Sequence, residues 1–326
     1  MIRVGILHGA GYVGRKLIEQ VLVHPEMRLD VVTSRSHENQ PVWKAHSHLR
    51  GITELVFLAE IDVDLDVIFI AAAHGQGAVA TGKLVDAGFN GLIVDMSADF
   101  RLKDAATYLA RYGAPHPRPD LLNTAWFGLP EITGPPPAGT KLIANPGCFA
   151  SAISLALYPL SQTGITTAVS VTALTGASGS GAVAKATTHF PSRSGNVKAY
   201  KVFEHQHEAE IDQLAPGLKY SFVPASGPWT DGIWGVAQLD LNKEGEIGST
   251  FHAAYDQCPL IRLWPGQLPE LHWSVGSPFT DIGWVQKGSQ VAIGFAIDNL
   301  LKGAATQAIQ NVNLALGLDQ TIGLLP

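Results

Sequence analysis

The sequence predicts an α/β protein with two domains, and two observations carry this prediction. Strand-like and helix-like segments alternate through the first third of the chain, which is the pattern of βαβ units on a parallel sheet. After residue 148 the strands become longer and polar loops separate them, which indicates an α+β domain with an antiparallel sheet. A chain of 326 residues, 46% hydrophobic and 15% charged, is long and apolar enough to bury two cores.

Hydrophobic periodicity predicts the elements of the first domain in order. Residues 12–23 and 79–87 carry apolar side chains at helical spacing, and the proline-rich residues 114–119 and 134–139 are predicted loops. The short apolar runs typical of buried strands are residues 3–7, 29–33, 67–72, 91–94 and 141–144.

The second domain begins with a predicted helix over residues 151–160, followed by strands that include 233–241 and 291–297. A final amphipathic helix over residues 303–316 is expected to return to the first domain. A boundary near residue 148 is therefore predicted, because the alternating pattern ends there.

Composition and charge exclude several classes of protein. The formal net charge of −6 disfavours nucleic acid and anionic membranes as partners. No apolar run approaches the roughly 20 residues of a membrane span, and the N-terminus enters a strand pattern without a signal-peptide layout. We therefore expect a cytoplasmic protein. Its two cysteines, Cys148 and Cys258, are too few for a disulfide framework and form no zinc-binding pair.

A glycine-rich motif follows the first predicted strand. Residues 9–14 (GAGYVG) fit the pattern G-x-G-x-x-G and open the predicted helix. The glycines allow a tight turn and let a pyrophosphate approach the helix N-terminus. The motif alone is a weak signal, but its place between a strand and a helix favours dinucleotide binding over a plain glycine-rich turn. The expected cofactor contacts are Gly9, Gly11, Tyr12, Val13 and Gly14.

The end of the second strand indicates which dinucleotide binds. NAD sites place an acid there to bind the ribose hydroxyls, whereas this strand is followed by Ser34, Arg35 and Ser36. A guanidinium and two hydroxyls suit a 2′-phosphate, because arginine binds phosphate in a bidentate manner. The alternative is a solvated loop arginine. The sequence therefore favours NADP as cofactor.

Cys148 is the candidate nucleophile. It follows Pro146-Gly147 and starts a predicted helix, where backbone N–H groups and the helix dipole favour the thiolate. It also lies at the carboxyl end of a predicted parallel strand, where α/β sheets place their active sites. Beside a nicotinamide, a thiolate can attack an acyl carbon to give a thioester that hydride reduces to an aldehyde. The alternative is an inert buried cysteine, which is our interpretation of Cys258.

A histidine-rich segment supplies candidate acid–base groups. Residues 205–210 (HQHEAE) hold two histidines and two acids, and histidine is the usual general acid–base at neutral pH. On a helix, His207 and Glu210 would share a face. A zinc site and a solvated helix start are the alternatives, but no third metal ligand is evident and we expect no metal. His207 and His205 both remain candidates for the acid–base group.

With these residues in place, the sequence resembles a known family, the N-acyl-γ-glutamyl-phosphate reductases of the semialdehyde dehydrogenase superfamily. The resemblance covers nearly the whole chain and rests on many motifs in the same order. They are residues 11–14 (GYVG), 34–36 (SRS), 74–75 (HG), 95–101 (DMSADFR), 112–113 (YG), 128–131 (GLPE), 145–148 (NPGC), 176–179 (GASG), 205–210 (HQHEAE), 281–283 (DIG) and 297–303 (IDNLLKG).

The resemblance implies a reaction, a fold and an assembly. The reaction is the NADPH-dependent reduction of N-acetyl-γ-glutamyl phosphate to its semialdehyde in arginine biosynthesis, through a thioester on Cys148. The fold is a Rossmann NADP-binding domain, of residues 1–148 plus 300–326, and an α+β catalytic and dimerisation domain, of residues 149–299. Members of the family are typically homodimers or homotetramers, and the implied substrate is a small-molecule acyl phosphate.

The resemblance also implies roles for individual residues. His207 or His205 would be the acid–base group, and Glu210 would contact the amino-acid end of the substrate or orient the histidine. The cofactor contacts that it adds, near the nicotinamide, are Ser178, Gly179 and Asn299. The substrate contacts that it adds are Asn145, Arg101 and Ser97.

Two departures from the family pattern affect the expected ligands. The first loop reads His8-Gly9-Ala10-Gly11 where Gly-Ala-Ser-Gly is usual, which puts more weight on Arg35. Asp231 stands where an arginine is frequent, a change that would alter the accepted acyl group unless another cation supplies the charge. The candidate cations are Arg193, Lys198, Lys201 and Arg262.

Three other functions stay open. One is an N-succinyl-glutamyl-phosphate reductase, because residues 187–190 and 205–207 resemble a branch with that blocking group. Another is the reduction of an aminoadipyl phosphate attached to a small acidic carrier protein in lysine biosynthesis, which the net acidic charge disfavours. The third is a non-catalytic NADP-binding regulator, since a fold alone does not establish chemistry; the intact Cys148, His205 and His207 argue against it.

Overall fold

The computed structural model describes residues 1–61, 64–166, 168–242 and 245–325. The chain divides into two compact units, which are Met1–Pro146 with Ala304–Pro326 and Gly147–Gly303. Each unit is built on a seven-stranded sheet with helices, so the predicted α/β class is confirmed. No helix in the described part of the chain is long and apolar enough to cross a membrane.

The sheet of the first unit is parallel throughout. Its strands are β1 (Ile2–Leu7), β2 (Met27–Thr33), β3 (Phe57–Leu58), β4 (Val67–Ile70), β5 (Leu92–Asp95), β6 (Ala125–Phe127) and β7 (Leu142–Ala144). They lie in the order β3-β2-β1-β4-β5-β7-β6, with every pairing parallel. The strand order reverses between β1 and β4, and such a switch point is where open α/β sheets bind ligands at their carboxyl ends.

Four helices follow the strands of this sheet, and the first begins and ends where the sequence predicts. They are α1 (Tyr12–Val23), α2 (Gly77–Asp86), α3 (Ala105–Tyr112) and α4 (Pro130–Thr133). In α1 the side chains of Leu17, Ile18 and Val21 recur at helical spacing and are buried. The helix ends at Val23 because Pro25 follows two residues later and disfavours helical backbone before it.

The second unit contains a mixed sheet, which corrects the expectation of an antiparallel one. Its strands are β8 (Ala168–Thr175), β9 (Lys198–Ala199), β10 (Lys219–Ser226), β11 (Ile233–Asp240), β12 (Ile261–Pro265), β13 (Thr280–Lys287) and β14 (Gln290–Ile297). Their order is β12-β13-β14-β11-β8-β10-β9. The β8–β10 and β12–β13 pairs are parallel and the other four are antiparallel. Each parallel pair is joined by a long connection, which parallel strands require and which strand periodicity does not indicate.

The helices of the second unit are α5 (Cys148–Ser161), α6 (Phe190–Arg193), α7 (Glu208–Leu214), α8 (Gly248–Tyr255) and α9 (Leu271–Ser274). Helix α5 is buried on all sides, because its residues are almost all apolar or small. Pro159 lies inside it and has no N–H for the carbonyl of Leu155. The Tyr255 hydroxyl of α8 donates to that carbonyl at 2.7 Å, so the unusual proline leaves no unsatisfied acceptor.

The chain ends with α10 (Thr306–Ala315), which a π-helical turn, Leu301–Ala305, precedes. This helix belongs to the first unit. The sequence predicts it as amphipathic, but its residues 306–313 are all buried. Three of its polar side chains can be buried because they hydrogen-bond within the unit. They are Gln310, Asn311 and Asn313, and the Asn311 amide donates to the Gly128 carbonyl at 2.9 Å.

Candidate active site

Cys148 is the first residue of α5 and is half-exposed. Gly147 precedes the helix with φ −71° and ψ 145°, an extended conformation that leads into the first turn without backbone strain. The peptide dipoles of a 14-residue helix therefore point their positive end at the thiol. This placement favours the thiolate form of the cysteine.

The imidazole of His207 lies directly against the backbone of Gly147. A Cβ atom at Gly147 would come within 2.5 Å of Nε2, 2.6 Å of Cε1 and 2.7 Å of Cδ2 of this ring. Only glycine allows such an approach. The ring is therefore placed beside the start of α5, next to the residue that carries the thiol.

Glu210 connects the histidine to the start of the helix. Its carboxylate is fully buried, and its Oε2 accepts the backbone N–H of Gly147 at 2.8 Å. Its Oε1 lies 3.9 Å from Nε2 of His207, three residues earlier on the same helical face. The structure thus brings together Cys148, His207 and Glu210, which the sequence predicts as site residues, and gives Glu210 a positioning contact.

His205 is buried among aromatic rings and differs from His207 in its environment. Its ring packs edge-on against Phe149, Phe222 and Tyr200, and only 3% of the residue is exposed. Burial, with the neighbouring His207, lowers the pKa of His205 to about 2, so it is neutral at physiological pH. Its Nδ1 accepts the backbone N–H of His207 at 3.2 Å. His205 therefore holds His207 in place as a neutral acceptor.

A cavity of about 600 Å³, the active-site cavity, opens beside Cys148. Its titratable wall residues are Cys148, Arg193, Lys198, Tyr200, Lys201, His205 and His207. Burial and the Cys148 thiolate hold the pKa of the Tyr200 hydroxyl above its ordinary value, against the effect of Arg193. Three cations and no carboxylate line this cavity in the described residues, so it favours an anionic ligand.

Arg193 is the cation of this cavity that has a buried donor without a partner in the described residues. Its Nη2 donates to the Thr175 carbonyl at 2.8 Å, which fixes the guanidinium against β8. Its buried Nε–H has no hydrogen-bond acceptor within the described residues. A buried donor without an acceptor is costly, and an anionic ligand would satisfy it.

Of the four candidate cations, Arg262 lies elsewhere in the second unit. It forms two hydrogen bonds with the buried Asp281, at 2.8 and 2.6 Å, and its charge is neutralised there. Asp231 belongs to a loop whose backbone carbonyls accept hydrogen bonds from the N–H groups of residues 177 and 178. Arg193, Lys198 and Lys201 are thus the cations that line the cavity.

Of the predicted nicotinamide contacts, only Gly179 lines the active-site cavity. Ser178 and Asn299 are buried: the Asn299 amide donates to the Ser178 hydroxyl at 3.0 Å and accepts from the Gly232 N–H at 2.5 Å. These two side chains therefore support the loop that places Gly179 at the cavity.

The predicted substrate contacts Asn145, Arg101 and Ser97 lie in the first unit, where the structure gives each a protein partner. The Arg101 Nε donates to the Asn145 carbonyl at 2.7 Å, and the Ser97 hydroxyl donates to the buried Asp95 at 2.7 Å. The bond from Arg101 fixes the chain two residues before Gly147.

In the first unit, the glycine-rich loop has the close contacts that its motif requires. A Cβ at Gly14 would lie 2.5 Å from the Gly9 carbonyl oxygen, and one at Gly9 would lie 2.3 Å from Val32. At Gly11 there is open space before the first turn of α1, which Tyr12 and Val13 form. Such an open helix N-terminus accepts a pyrophosphate.

A second cavity of about 410 Å³, the nucleotide cavity, lies at the ends of β1 and β2 and beside α2. Its polar wall residues are His8, Thr33, Arg35, Glu60, Gln76 and Lys83. Ser34 and Ser36 flank Arg35, with their hydroxyls 3.2 Å apart. Arg35 is exposed and has no carboxylate partner in the described residues, which suits an anion-binding role.

Several residues of these sites are not evident from sequence patterns. His46, which is buried, hydrogen-bonds through Nε2 to the Gly9 carbonyl at 2.8 Å and fixes the glycine-rich loop. Tyr200 and Lys83 reach their cavities from segments without a motif. The spacing of residues along the chain carries no signal for these contacts, because they depend on how the units fold.

Both units of the chain match models of one protein family. Residues 3–135 match a family model described as the NAD binding domain of semialdehyde dehydrogenase. Residues 148–299 match the model described as its dimerisation domain. The fold and the two matches define an oxidoreductase of the two-domain dehydrogenase class. The chain belongs to the semialdehyde dehydrogenase family.

Individual relatives cover nearly the whole chain. One from Methanothrix thermoacetophila, named N-acetyl-gamma-glutamyl-phosphate reductase, is 37% identical over 99% of this chain and 98% of its own. One from Ignicoccus hospitalis, named as a reductase of LysW-linked L-2-aminoadipate and L-glutamate phosphate, is 34% identical over 98% of this chain and 97% of its own. These two names point to different substrates.

Solved structures show the same fold at low identity. Aspartate semialdehyde dehydrogenase II from Vibrio cholerae matches with a TM-score of 0.70 and 16% identity, over 97% of this chain and 98% of that one. The Candida albicans aspartate semialdehyde dehydrogenase with NADP matches with a TM-score of 0.69 and 15% identity, over 99% of both chains.

Proposed function

We propose that the protein reduces an N-acyl-γ-glutamyl phosphate, with N-acetyl as the blocking group, to the semialdehyde with NADPH in arginine biosynthesis. The observation that carries the proposal is the cluster of Cys148, His207 and Glu210 at the start of α5, beside a cavity with three cationic side chains. Such a cavity suits a substrate that carries both a phosphate and a carboxylate.

In the proposed reaction the Cys148 thiolate attacks the acyl carbon, and the bond from that carbon to the phosphate oxygen breaks. His207 donates a proton to the departing oxygen, so hydrogen phosphate leaves and a thioester remains on Cys148. NADPH, when bound, would supply the hydride that reduces the thioester carbon. The carbon–sulfur bond then breaks to release the aldehyde and the thiolate, and His207 regains its proton from water.

Two further residues position the acid. Glu210 orients His207 and stabilises its protonated form, because a fully buried carboxylate 3.9 Å away favours the cation. His205 stays neutral and holds the backbone of His207. We therefore assign the acid–base role to His207, and a positioning role to His205 and Glu210.

The first unit fits NADP. The glycine-rich turn and the open N-terminus of α1 suit the pyrophosphate, and Arg35 with its flanking serines suits a 2′-phosphate. We propose residues 1–148 plus 300–326 as the NADP-binding domain and residues 149–299 as the catalytic and dimerisation domain. The proposed cofactor contacts are those that the sequence predicts. A homodimer or homotetramer is the proposed assembly, on the basis of the dimerisation-domain match.

A second candidate substrate is an acyl phosphate attached to an acidic carrier protein. Lys198 and Lys201 are exposed at the cavity, and such a basic edge suits an acidic partner. This local charge weakens the argument from the net charge of the whole chain. The relative from Ignicoccus hospitalis carries a name of this kind.

The test is an assay of the reverse reaction with NADP, phosphate and three aldehydes: N-acetylglutamate semialdehyde, its N-succinyl analogue and a carrier-linked semialdehyde. We expect turnover with the N-acetyl aldehyde, and its preference over the other two by kcat/KM would support the proposal. Turnover with the carrier-linked aldehyde alone would establish the second candidate.

A matched pair of cysteine variants tests the covalent step. Cys148→Ser should abolish turnover and keep NADPH affinity near that of the wild type, whereas Cys258→Ser should stay active. Substantial activity in Cys148→Ser would contradict a thioester on this residue.

A further inference from the structure

An unusual residue lies in the glycine-rich loop of the first unit. His8 follows β1 with φ +61°, in the left-handed region that favours glycine. Histidine is one of the few side chains enriched in this conformation, although glycine adopts it at lower cost. The loop therefore keeps its turn and gains an imidazole where glycine would leave open space.

That imidazole lines the nucleotide cavity together with two cations from other elements. Arg35 comes from the segment after β2, and Lys83 comes from α2. In the described residues neither cation has a carboxylate partner. Among the described residues of that cavity wall, Glu60, after β3, is the one acid, so their fixed charges sum to a single positive charge while His8 is neutral. A dianionic ligand would leave this cavity short of positive charge.

We propose that His8, Arg35 and Lys83 form one site for the 2′-phosphate of the cofactor, and that His8 takes up a proton when this phosphate binds. The proposal rests on the proposed use of NADP. It assigns to His8 and Lys83 a role in the choice of NADPH over NADH.

The electrostatics of the cavity support proton uptake. Burial and the nearby Arg35 hold the pKa of His8 below its ordinary value in the free protein, so the imidazole is neutral at neutral pH. A bound phosphate dianion reverses the sign of the local charge and raises that pKa. Affinity for the phosphorylated nucleotide must then fall as pH rises, because fewer molecules carry the bound proton.

The experiment uses two probes of the adenosine end, 2′,5′-ADP and 5′-AMP, in isothermal titration calorimetry on the full chain. Titrations in two buffers of different ionisation enthalpy measure the protons taken up. The matched variants are His8→Gly, which removes the imidazole and adopts the same backbone freely, and His8→Asn, which tolerates that backbone and does not titrate. His48→Gln, at an exposed histidine of the same unit outside the cavity, is the control.

For the wild type we expect proton uptake with 2′,5′-ADP. The affinity for 2′,5′-ADP relative to that for 5′-AMP should fall about three- to ten-fold between mildly acidic and mildly alkaline pH. This range lies between the strength of an exposed ion pair and that of a buried charged hydrogen bond. Both His8 variants should lose the uptake and this part of the pH dependence, leaving the titration of the phosphate itself. Lys83→Gln should lower affinity for 2′,5′-ADP and leave that for 5′-AMP unchanged.

Two outcomes distinguish a failure of the proton-uptake proposal from a failure of the proposed use of NADP. Unchanged proton uptake in His8→Gly and His8→Asn would overturn the inference while NADP remains the cofactor. Equal affinity of the wild type for 2′,5′-ADP and 5′-AMP, together with no loss in Arg35→Ala, would overturn both. Loss of uptake in His48→Gln would also contradict the assignment to His8.

Discussion

Replacing Gly147 by alanine should disable the acid–base group without disturbing the fold. The backbone at Gly147 has φ −71° and ψ 145°, which any residue adopts, so alanine adds no backbone strain. Its Cβ, however, would lie 2.5 Å from Nε2 of His207, whereas ordinary contacts begin at 3.4 Å. The imidazole must therefore retreat by about 0.9 Å, the difference between these distances.

A displacement of this size has a large kinetic effect. Misplacing a catalytic group by about 1 Å costs about 100-fold in rate, which corresponds to about 2.7 kcal/mol of transition-state stabilisation. We expect kcat of Gly147→Ala to fall by about this factor, with the melting temperature near that of the wild type. The assay is NADPH oxidation at saturating acyl phosphate, with thermal unfolding measured on the same preparation.

The control for this variant is Gly245→Ala, because a Cβ at Gly245 meets no atom of the described residues within 4 Å. That variant should keep wild-type kcat and stability. The reasoning is refuted if Gly147→Ala retains kcat within about two-fold of the wild type, because the ring contact would then have no part in the reaction. A loss of activity that accompanies unfolding would refute the claim that alanine fits this backbone.

Three further predictions concern charge. Glu210→Gln should lower kcat about ten- to 100-fold, the worth of the charge-assisted hydrogen bond that Glu210 accepts from the Gly147 N–H. Unchanged kcat would exclude the positioning role of Glu210. Arg193→Ala should raise KM for the acyl phosphate at least about ten-fold and leave NADPH affinity unchanged. Arg193→Lys should raise this KM by less. Equal KM values in both variants and the wild type would remove Arg193 from the substrate site. Burial raises the pKa of Asp95 to about 7, above its ordinary 3.8. Between these two pH values the folded protein therefore binds one proton more than the unfolded chain. The free energy of unfolding falls as pH rises towards 7. In urea unfolding between about pH 5 and pH 8, Asp95→Asn should therefore gain stability relative to the wild type as pH rises, and a constant difference would contradict the raised pKa.

Local patterns predict the parts of the fold that local chemistry specifies. The bounds of α1 follow from buried side chains at helical spacing and a proline after its end. The buried strands β4 and β7 follow from continuous apolar runs. Cys148 and its neighbours are predicted because a Pro-Gly turn before a helix is itself a local feature.

Long-range contacts account for what the patterns miss. Strands β3 and β6 have two and three residues, too few for a periodicity to appear. The distinct environments of His205 and His207 depend on rings from α5 and β10, which the spacing of two residues does not reveal. The hydrogen bond between Ser178 and Asn299 is hidden for the same reason, because it joins residues 121 positions apart.

The contrast between α5 and the segment of residues 181–199 has an evolutionary consequence. Helix α5 is buried on every side, where a large-to-small substitution costs about 2–5 kcal/mol. Residues 181–199 line one side of the active-site cavity and are nearly all exposed, where substitutions change stability by about 0.5 kcal/mol or less. Mutations in this segment can thus accumulate without loss of the fold and alter substrate choice, while the nucleophile stays constant. A chimera that exchanges these residues between relatives should change the accepted acyl group and keep the thioester chemistry.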